Sequence, residues 1–95
     1  MDVLKLNRLF SSYDACIVKL FPNVGIERRQ HGSTLRHQIE HLRWMLHECS
    51  NMVARDKLDK ATRWLGYVEG SLVQLRVITL EEVQYHDVIT YMPET

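Results

Sequence analysis

The sequence predicts an all-α fold: two long helices form an antiparallel hairpin, and an N-terminal helix packs on it to complete a three-helix bundle. Apolar residues recur at helical spacing in three segments, and turn-forming or short polar stretches separate them. A later capping motif predicts a short C-terminal helix. We treat residues 1–95 as a single helical domain. A domain this small buries a smaller fraction of its surface on folding than a larger domain does, so we expect an oligomer.

The first helix is predicted from about residue 3 to residue 20. Pro22 disfavours a helical Phe21, and Asn23 and Gly25 favour turns, so the helix ends before the loop at 22–32. This loop carries the densest positive charge in the chain. The apolar stripe of the helix consists of Leu6, Leu9, Phe10, Tyr13, Ile17 and Leu20.

The second and third helices are predicted to pack through matching apolar edges. Ser33 or Thr34 is a credible N-cap of the second helix, and Asp56 is predicted to cap the third, with Asp59 in its first turn. Because few residues join the two helices, they are expected to fold back on each other. The edges consist of Leu35, Ile39, Leu42, Leu46, Cys49 and Val53, and of Leu58, Ala61, Leu65, Val68, Leu72 and Leu75.

Two further features concern the third helix and its end. Gly66 and Gly70 share one face, which predicts that another backbone comes close there, either the first helix or a second subunit. Thr79 and Glu82 match a capping box, so a short fourth helix is expected to start at Leu80.

Composition excludes several classes of function. The 12 Lys and Arg residues balance the 12 Asp and Glu residues, and no predicted helix has a basic face, so we expect no sequence-specific DNA binding. The apolar runs are far shorter than a membrane span, which predicts a cytoplasmic protein without a membrane partner. Cys16 and Cys49 lie on apolar stripes and are interpreted as small core residues, with an interhelical disulfide as the less usual alternative.

The string His37-Gln38-Ile39-Glu40-His41 matches the H-x-x-E-H pattern of some zinc peptidases. A catalytic zinc needs a third protein ligand and a substrate cleft, neither of which this short chain predicts. The sequence also contains no phosphate-binding glycine loop and no nucleophile elbow. We therefore predict no metal, no cofactor, no catalytic residue and no enzyme activity.

Two groups of residues are candidates for ligand binding. Arg28, Arg29 and His31 precede the second helix, whose free N–H groups attract anions. The alternative interpretation is that the arginines are solvated loop residues that pair with Glu27 or a neighbour. The second group combines rings and cations that suit a base with its phosphate. Its members are His37, His41 and Trp44 on the second helix and Arg63, Trp64 and Tyr67 on the third. Trp64 is equally consistent with a core residue or an interface anchor.

The segment Lys60-Ala61-Thr62-Arg63-Trp64-Leu65-Gly66-Tyr67-Val68-Glu69-Gly70, followed by Ile78-Thr79-Leu80-Glu81-Glu82, resembles a group of small tailed-bacteriophage proteins. His41-Leu42-Arg43-Trp44-Met45 is similar to that group's preceding helix, so the resemblance covers roughly residues 35–85. One departure is Arg76, where the group leads us to expect a glycine ending the third helix.

The resemblance implies a phage protein that counters host defence. In outline the architecture is similar to phage sponges, which are compact helical oligomers that sequester cyclic nucleotide immune signals between subunits. We therefore expect a non-enzymatic, homo-oligomeric protein of the host bacterial cytosol that binds a phosphate-bearing nucleotide through the residues named above. The alternatives are a helical inhibitor that binds a host defence protein directly, of anti-CRISPR or anti-restriction type, and a phage accessory or assembly protein.

Overall fold

A computed structural model describes residues 3–28 and 34–83, and over these ranges it contains helices and no strand. Helix α1 spans Val3–Leu20, α2 spans Leu35–Ala54 and α3 spans Leu58–Gln74. A further helical segment runs from residue 80 to residue 83, where the described range ends. The predicted all-α class is confirmed, and the predicted bounds of α1, about residue 3 to residue 20, match the structure.

Helices α2 and α3 form the predicted antiparallel hairpin. The Cys49 thiol donates a hydrogen bond to the Ala61 carbonyl oxygen at 3.7 Å. Farther from the turn, the ring centroids of Trp44 and Trp64 lie 5.8 Å apart. Residues earlier in α2 therefore contact residues later in α3, so the two helices are antiparallel, as the short connection requires.

The core lies between the three helices and includes most of the predicted apolar edges. Leu35 is an exception, because it is 49% exposed at the first position of α2. Leu58 and Leu75 are only partly buried at the ends of α3. The buried core comprises Leu6, Leu9, Phe10, Tyr13, Ile17, Ile39, Leu42, Met45, Leu46, Cys49, Met52, Val53, Ala61, Leu65, Val68, Leu72, Ile78 and Val83.

Two polar contacts attach α1 to the hairpin. The buried Tyr13 hydroxyl donates a hydrogen bond to Glu69 Oε2 at 2.6 Å, which joins α1 to α3 inside the core. On the other flank, Arg43 of α2 pairs with Asp14 of α1 at 2.6 Å. Buried polar groups require partners, so these contacts fix the side of the hairpin on which α1 packs.

Side-chain caps start α2 and the C-terminal helical segment. Thr34 Oγ1 accepts a hydrogen bond from the backbone N–H of His37 at 3.1 Å, which confirms Thr34 as an N-cap, whereas Ser33 lies outside the described residues. The predicted capping box is also confirmed. The Glu82 N–H donates to Thr79 Oγ1, and the Thr79 N–H donates to Glu82 Oε1.

The prediction that Asp56 caps α3 is wrong, because this residue instead ends α2. Asp56 has a φ of 60°, which is left-handed. Its backbone N–H donates to the Val53 carbonyl oxygen, and the Lys57 backbone N–H donates to the Met52 carbonyl oxygen. This pattern is a Schellman turn, in which a short polar residue tolerates the left-handed position. Lys57 occupies the N-cap position of α3 without a side-chain capping bond.

Helix α3 ends in a second Schellman turn that contains Arg76. Its φ is 62°, and its N–H donates to the Val73 carbonyl oxygen while the Val77 N–H donates to Leu72. Glycine is the usual residue at this position because it has no Cβ to clash in the left-handed conformation. The turn therefore keeps its geometry despite the arginine, at a local conformational cost.

Of the two alternatives for the close approach at Gly66 and Gly70, the structure does not support the first, an approach of α1. Among the described residues, no heavy atom outside the immediate helix lies within 4 Å of a Cβ placed at either glycine. Helix α1 instead reaches α3 through the buried Glu69, so the glycines lie on the exposed face of α3.

Both cysteines are free thiols. Cys49 is fully buried, as its place on the apolar edge predicts, and Cys16 is partly buried against the same core. Burial raises the pKa of the Cys49 thiol to about 12, and the nearby Glu48 carboxylate adds to this shift. Within residues 3–28 and 34–83, no helix has the length and apolar character needed to cross a lipid bilayer.

We predict that Tyr13→Phe destabilises the protein by about 1–3 kcal/mol, since it removes a buried donor to Glu69. Urea unfolding followed by circular dichroism measures this change. Tyr67→Phe removes the same hydroxyl from a ring that is 60% exposed, and it should change stability by less than about 0.5 kcal/mol. Equal effects of the two substitutions would contradict a structural role for the Tyr13 hydroxyl.

We predict that Arg76→Gly stabilises the protein by about 0.5–1 kcal/mol, because glycine adopts the left-handed conformation without steric cost. The matched control is Gln74→Gly at the last residue of α3, where glycine should destabilise by up to about 1 kcal/mol. Thermal unfolding of both variants measures the difference. A lower melting temperature for Arg76→Gly would show that the arginine side chain outweighs its backbone strain.

Candidate functional site

An open groove between α2 and α3 is lined by four of the candidate ligand-binding residues. It encloses about 550 Å³, and its described lining includes three aromatic or imidazole rings and two cations but no carboxylate. Helical spacing creates it, since residues three and four apart share one helix face. The lining consists of His41 and Met45 from α2 and Lys60, Arg63, Trp64 and Tyr67 from α3. We call this the α2–α3 groove.

Two cations and two indole rings lie in a row at the groove, in the order Arg28, Trp44, Trp64 and Lys60. We call this row the ladder. The Arg28 guanidinium carbon lies 5.3 Å from the Trp44 ring centroid, and Lys60 Nζ lies 5.5 Å from that of Trp64. The two indoles are 5.8 Å apart and tilted by 46°. These are distances at which a cation is attracted to the negative face of a ring. The ladder thus brings positive charge from the loop and from α3 to the same side of the hairpin.

Arg43 helps to hold the loop carrying Arg28 against α2. Its guanidinium donates two hydrogen bonds to the Asp14 carboxylate, at 2.6 and 3.1 Å, and a third to the Val24 carbonyl oxygen at 2.6 Å. The third bond holds the loop after α1 against α2. Because Val24 is four residues before Arg28, this contact places the arginine near Trp44.

His41 is the titratable ring of the groove. It stacks on Trp44, with centroids 5.6 Å apart and planes inclined by 24°. Burial lowers the pKa of His41, and the charge of Arg28 lowers it further. Both effects disfavour the imidazolium, so this side chain is predominantly neutral near pH 7.

The groove residues differ in how much of each side chain is accessible. Trp44 and Trp64 are partly buried and pack against the core, as the alternative reading of Trp64 predicted. Tyr67 is 60% exposed and Arg63 is exposed. The two indoles therefore shape the groove, while the tyrosine and the arginine present groups to solvent.

Of the nine candidate ligand-binding residues, six lie at or beside this groove, and His37 is not part of its lining. Arg29 and His31 fall outside the described residues. The six are Arg28, His41, Trp44, Arg63, Trp64 and Tyr67. Sequence reasoning missed Lys60, although its position three residues before Arg63 and four before Trp64 already placed it on the same face.

The Glu40 and His41 side chains of the H-x-x-E-H string have different partners. Glu40 is buried, and its Oε2 accepts a hydrogen bond from the Gly25 N–H at 3.3 Å and lies 3.9 Å from Arg36 Nε. The His41 ring stacks on Trp44 instead. The backbone N–H of His37 donates to the Thr34 cap. In the part of the chain that the structure describes, no three potential metal ligands cluster.

A second groove, between α1 and α2, encloses about 490 Å³. It has an apolar floor that includes Phe10 and Leu46 and a polar rim that includes His47. His47 Nε2 lies 3.6 Å from Asp14 Oδ2. Because the two oxygens of this carboxylate already accept hydrogen bonds from Arg43, the α1–α2 groove has the character of a structural junction.

We predict that Arg28→Ala raises the pKa of His41, because it removes a positive charge that opposes protonation of the ring. Burial, the larger cause, persists, so the pKa should stay below its usual value. NMR titration of the imidazole Cε1–H signals measures the shift. Arg8→Ala, at an exposed site on α1, is the matched control and should leave this pKa unchanged. An unchanged value in Arg28→Ala would contradict the placement of Arg28.

No model of a known protein family, no curated protein and no solved structure matches this chain. What the protein does is therefore inferred from the side chains of the α2–α3 groove. Together, these side chains provide aromatic faces and positive charge in a groove that is open to solvent. Those properties suit an anionic ligand with a planar ring.

Proposed function

We propose that this protein captures a phosphate-bearing nucleotide in the α2–α3 groove without transforming it. The observation that carries the proposal is the convergence of the exposed Tyr67 with Arg63 and Lys60 in a groove whose described lining has no carboxylate. An aromatic face stacks with any nucleobase, and cations pair with phosphate. A ligand with only one of these groups would leave half of the groove without a partner.

Each lining residue has a distinct role in this proposal. The base stacks on Tyr67, and the Arg63 guanidinium donates hydrogen bonds to phosphate oxygens. The ladder through Trp44 and Trp64 keeps the groove wall rigid and holds Arg28 nearby as a further positive charge.

The groove is open to solvent, and a second copy of the chain would close it. Gly66 and Gly70 on the exposed face of α3 support such an assembly, since nothing in the described chain approaches them. Glycine within a helix costs about 1 kcal/mol relative to alanine, and close packing of another subunit is a physical reason to keep it there. We therefore propose that the protein sequesters its ligand between the subunits of a homo-oligomer.

The biological setting that we propose is phage counter-defence in the host bacterial cytosol. Support comes from the Lys60 to Gly70 string and its resemblance to small phage proteins. A binding protein that outcompetes a host sensor for a nucleotide signal needs affinity and abundance but no catalysis. The groove is consistent with that role, as its cations and rings bind without requiring an activated nucleophile.

Isothermal titration of the full chain against cyclic di- and trinucleotides and ADP-ribose derivatives tests this proposal. We expect at least one of them to bind with a dissociation constant of about 1 μM or lower, corresponding to about 8 kcal/mol of binding free energy. Arg63→Ala should weaken that binding about tenfold or more, because it removes a charge-assisted hydrogen bond to phosphate.

The matched control is Arg8→Ala, which removes the same charge from the exposed surface of α1. It should leave the affinity within about twofold of the wild type. If no nucleotide of the panel binds at micromolar concentration, the proposed function is wrong. Equal weakening by both arginine substitutions would place the ligand elsewhere on the protein.

The exposed face of α3 also favours a second candidate, a helical inhibitor of a host defence protein. Arg63 and Tyr67 are exposed beside Gly66 and Gly70, and arginine and tyrosine are common anchors of protein interfaces. This candidate predicts that affinity-tagged protein recovers one stoichiometric host protein, that Tyr67→Ala abolishes the recovery, and that the purified protein carries no nucleotide.

A further inference from the structure

Three exposed groups of the α2–α3 groove follow a fixed order along α3. Lys60, Arg63 and Tyr67 all line the groove, and all three side chains are exposed. Along the helix axis, Tyr67 and Arg63 are separated by about 6 Å, and Arg63 and Lys60 by about 4.5 Å, at 1.5 Å per residue. The groove thus presents one ring followed by two cations, and the two cations are closer to each other along the axis than the ring is to the first cation.

The indole rings are already engaged by other side chains. Trp44 has His41 stacked on it and Arg28 above its ring. Trp64 contacts the Trp44 ring and has Lys60 above it. A nucleobase would have to displace these partners, whereas the Tyr67 ring, 60% exposed, offers a face without displacement. The described lining of this groove therefore provides one stacking position for a base in each chain.

The electrostatic character changes beyond Lys60. The depression adjoining the groove is lined by Lys60 and Arg63 together with Asp56, Lys57 and Asp59. The two carboxylates outweigh the single charge of Lys57, so the added net charge is negative and disfavours an anion that extends past Lys60. The favourable path for negative charge therefore covers the two cations and ends there.

We infer that the ligand of this groove is a nucleoside diphosphate, either free or as part of a larger molecule. The base stacks on Tyr67, the phosphate nearest the nucleoside pairs with Arg63, and the second phosphate pairs with Lys60. The shorter step between the cations suits two linked phosphates, which lie closer to each other than the base does to the first of them. This inference rests on the proposed function and narrows it to one class of nucleotide.

Calorimetric titration of the full chain with a nucleoside series tests the inference. Adenosine, AMP, ADP and ATP, and the matching guanosine series, are titrated at low ionic strength without divalent metal, which strengthens phosphate contacts. ADP should bind about tenfold more tightly than AMP, because it gains one charge-assisted contact. ATP should bind no more tightly than ADP, and adenosine should bind most weakly.

Lys60→Met assigns the second phosphate to its partner. Methionine keeps an aliphatic chain over Trp64 but removes the charge, so the fold and the groove wall are retained. The ADP affinity should fall about tenfold, to near that of AMP, while the AMP affinity should change less than about twofold. Lys19→Met, a matched charge removal on the α1–α2 groove, should alter neither affinity.

The outcomes separate this inference from the proposed function on which it rests. If ADP and AMP bind equally well, or if Lys60→Met weakens both alike, the diphosphate assignment is wrong while nucleotide capture stands. Tighter binding of ATP than of ADP would also overturn the predicted end of the path. If neither this series nor the cyclic nucleotides and ADP-ribose derivatives bind, both proposals fail.

Discussion

The three-way contact of Arg43 is the interaction on which the arrangement of this protein depends. One guanidinium joins Asp14 of α1, Val24 of the following loop and, through its own backbone, α2. Its side chain is 12% exposed, so the charge is shielded from water and depends on its hydrogen bonds. Hydrogen bonding to Asp14 raises the pKa of Arg43, which keeps the side chain charged. Three segments distant in sequence are thereby held in one relative position.

The Arg43 contact also explains how a small helical protein keeps several positive charges on one side. Because the loop is fixed at Val24, Arg28 lies on the face of α2 that also carries Trp44. The opposite end of the ladder comes from Lys60 of α3, so the groove charge has two independent sources. Ring faces partly replace water around these cations, which lets like charges approach an apolar surface. Balanced net charge over the whole chain thus coexists with a locally cationic surface.

Periodicity predicted the helices because burial of one face dictates where apolar residues recur, and the stripe of α1 shows this from Leu6 to Ile17. The side chains of the groove were partly predictable for the same reason, since Arg63 and Tyr67 share a helix face. Asp56 was misjudged because an acidic residue between two helices fits the cap of one and the left-handed end of the other, and only backbone geometry separates these. The role of Arg43 was beyond sequence reasoning, since its partners are distant along the chain. Spacing alone also could not show that Gly66 and Gly70 face outward.

The buried thiol of Cys49 has a practical consequence. Alkylating reagents such as iodoacetamide attack the thiolate, and a thiol with a pKa of about 12 inside the hairpin offers almost none at neutral pH. Modification must therefore wait until α2 and α3 separate, so its rate reports how often the hairpin opens. Cys16 lies only partly buried on α1 and supplies an internal reference for reagent access in the same molecule. Mass spectrometry of the two labelled peptides would thus time the separation of the helices without any added probe.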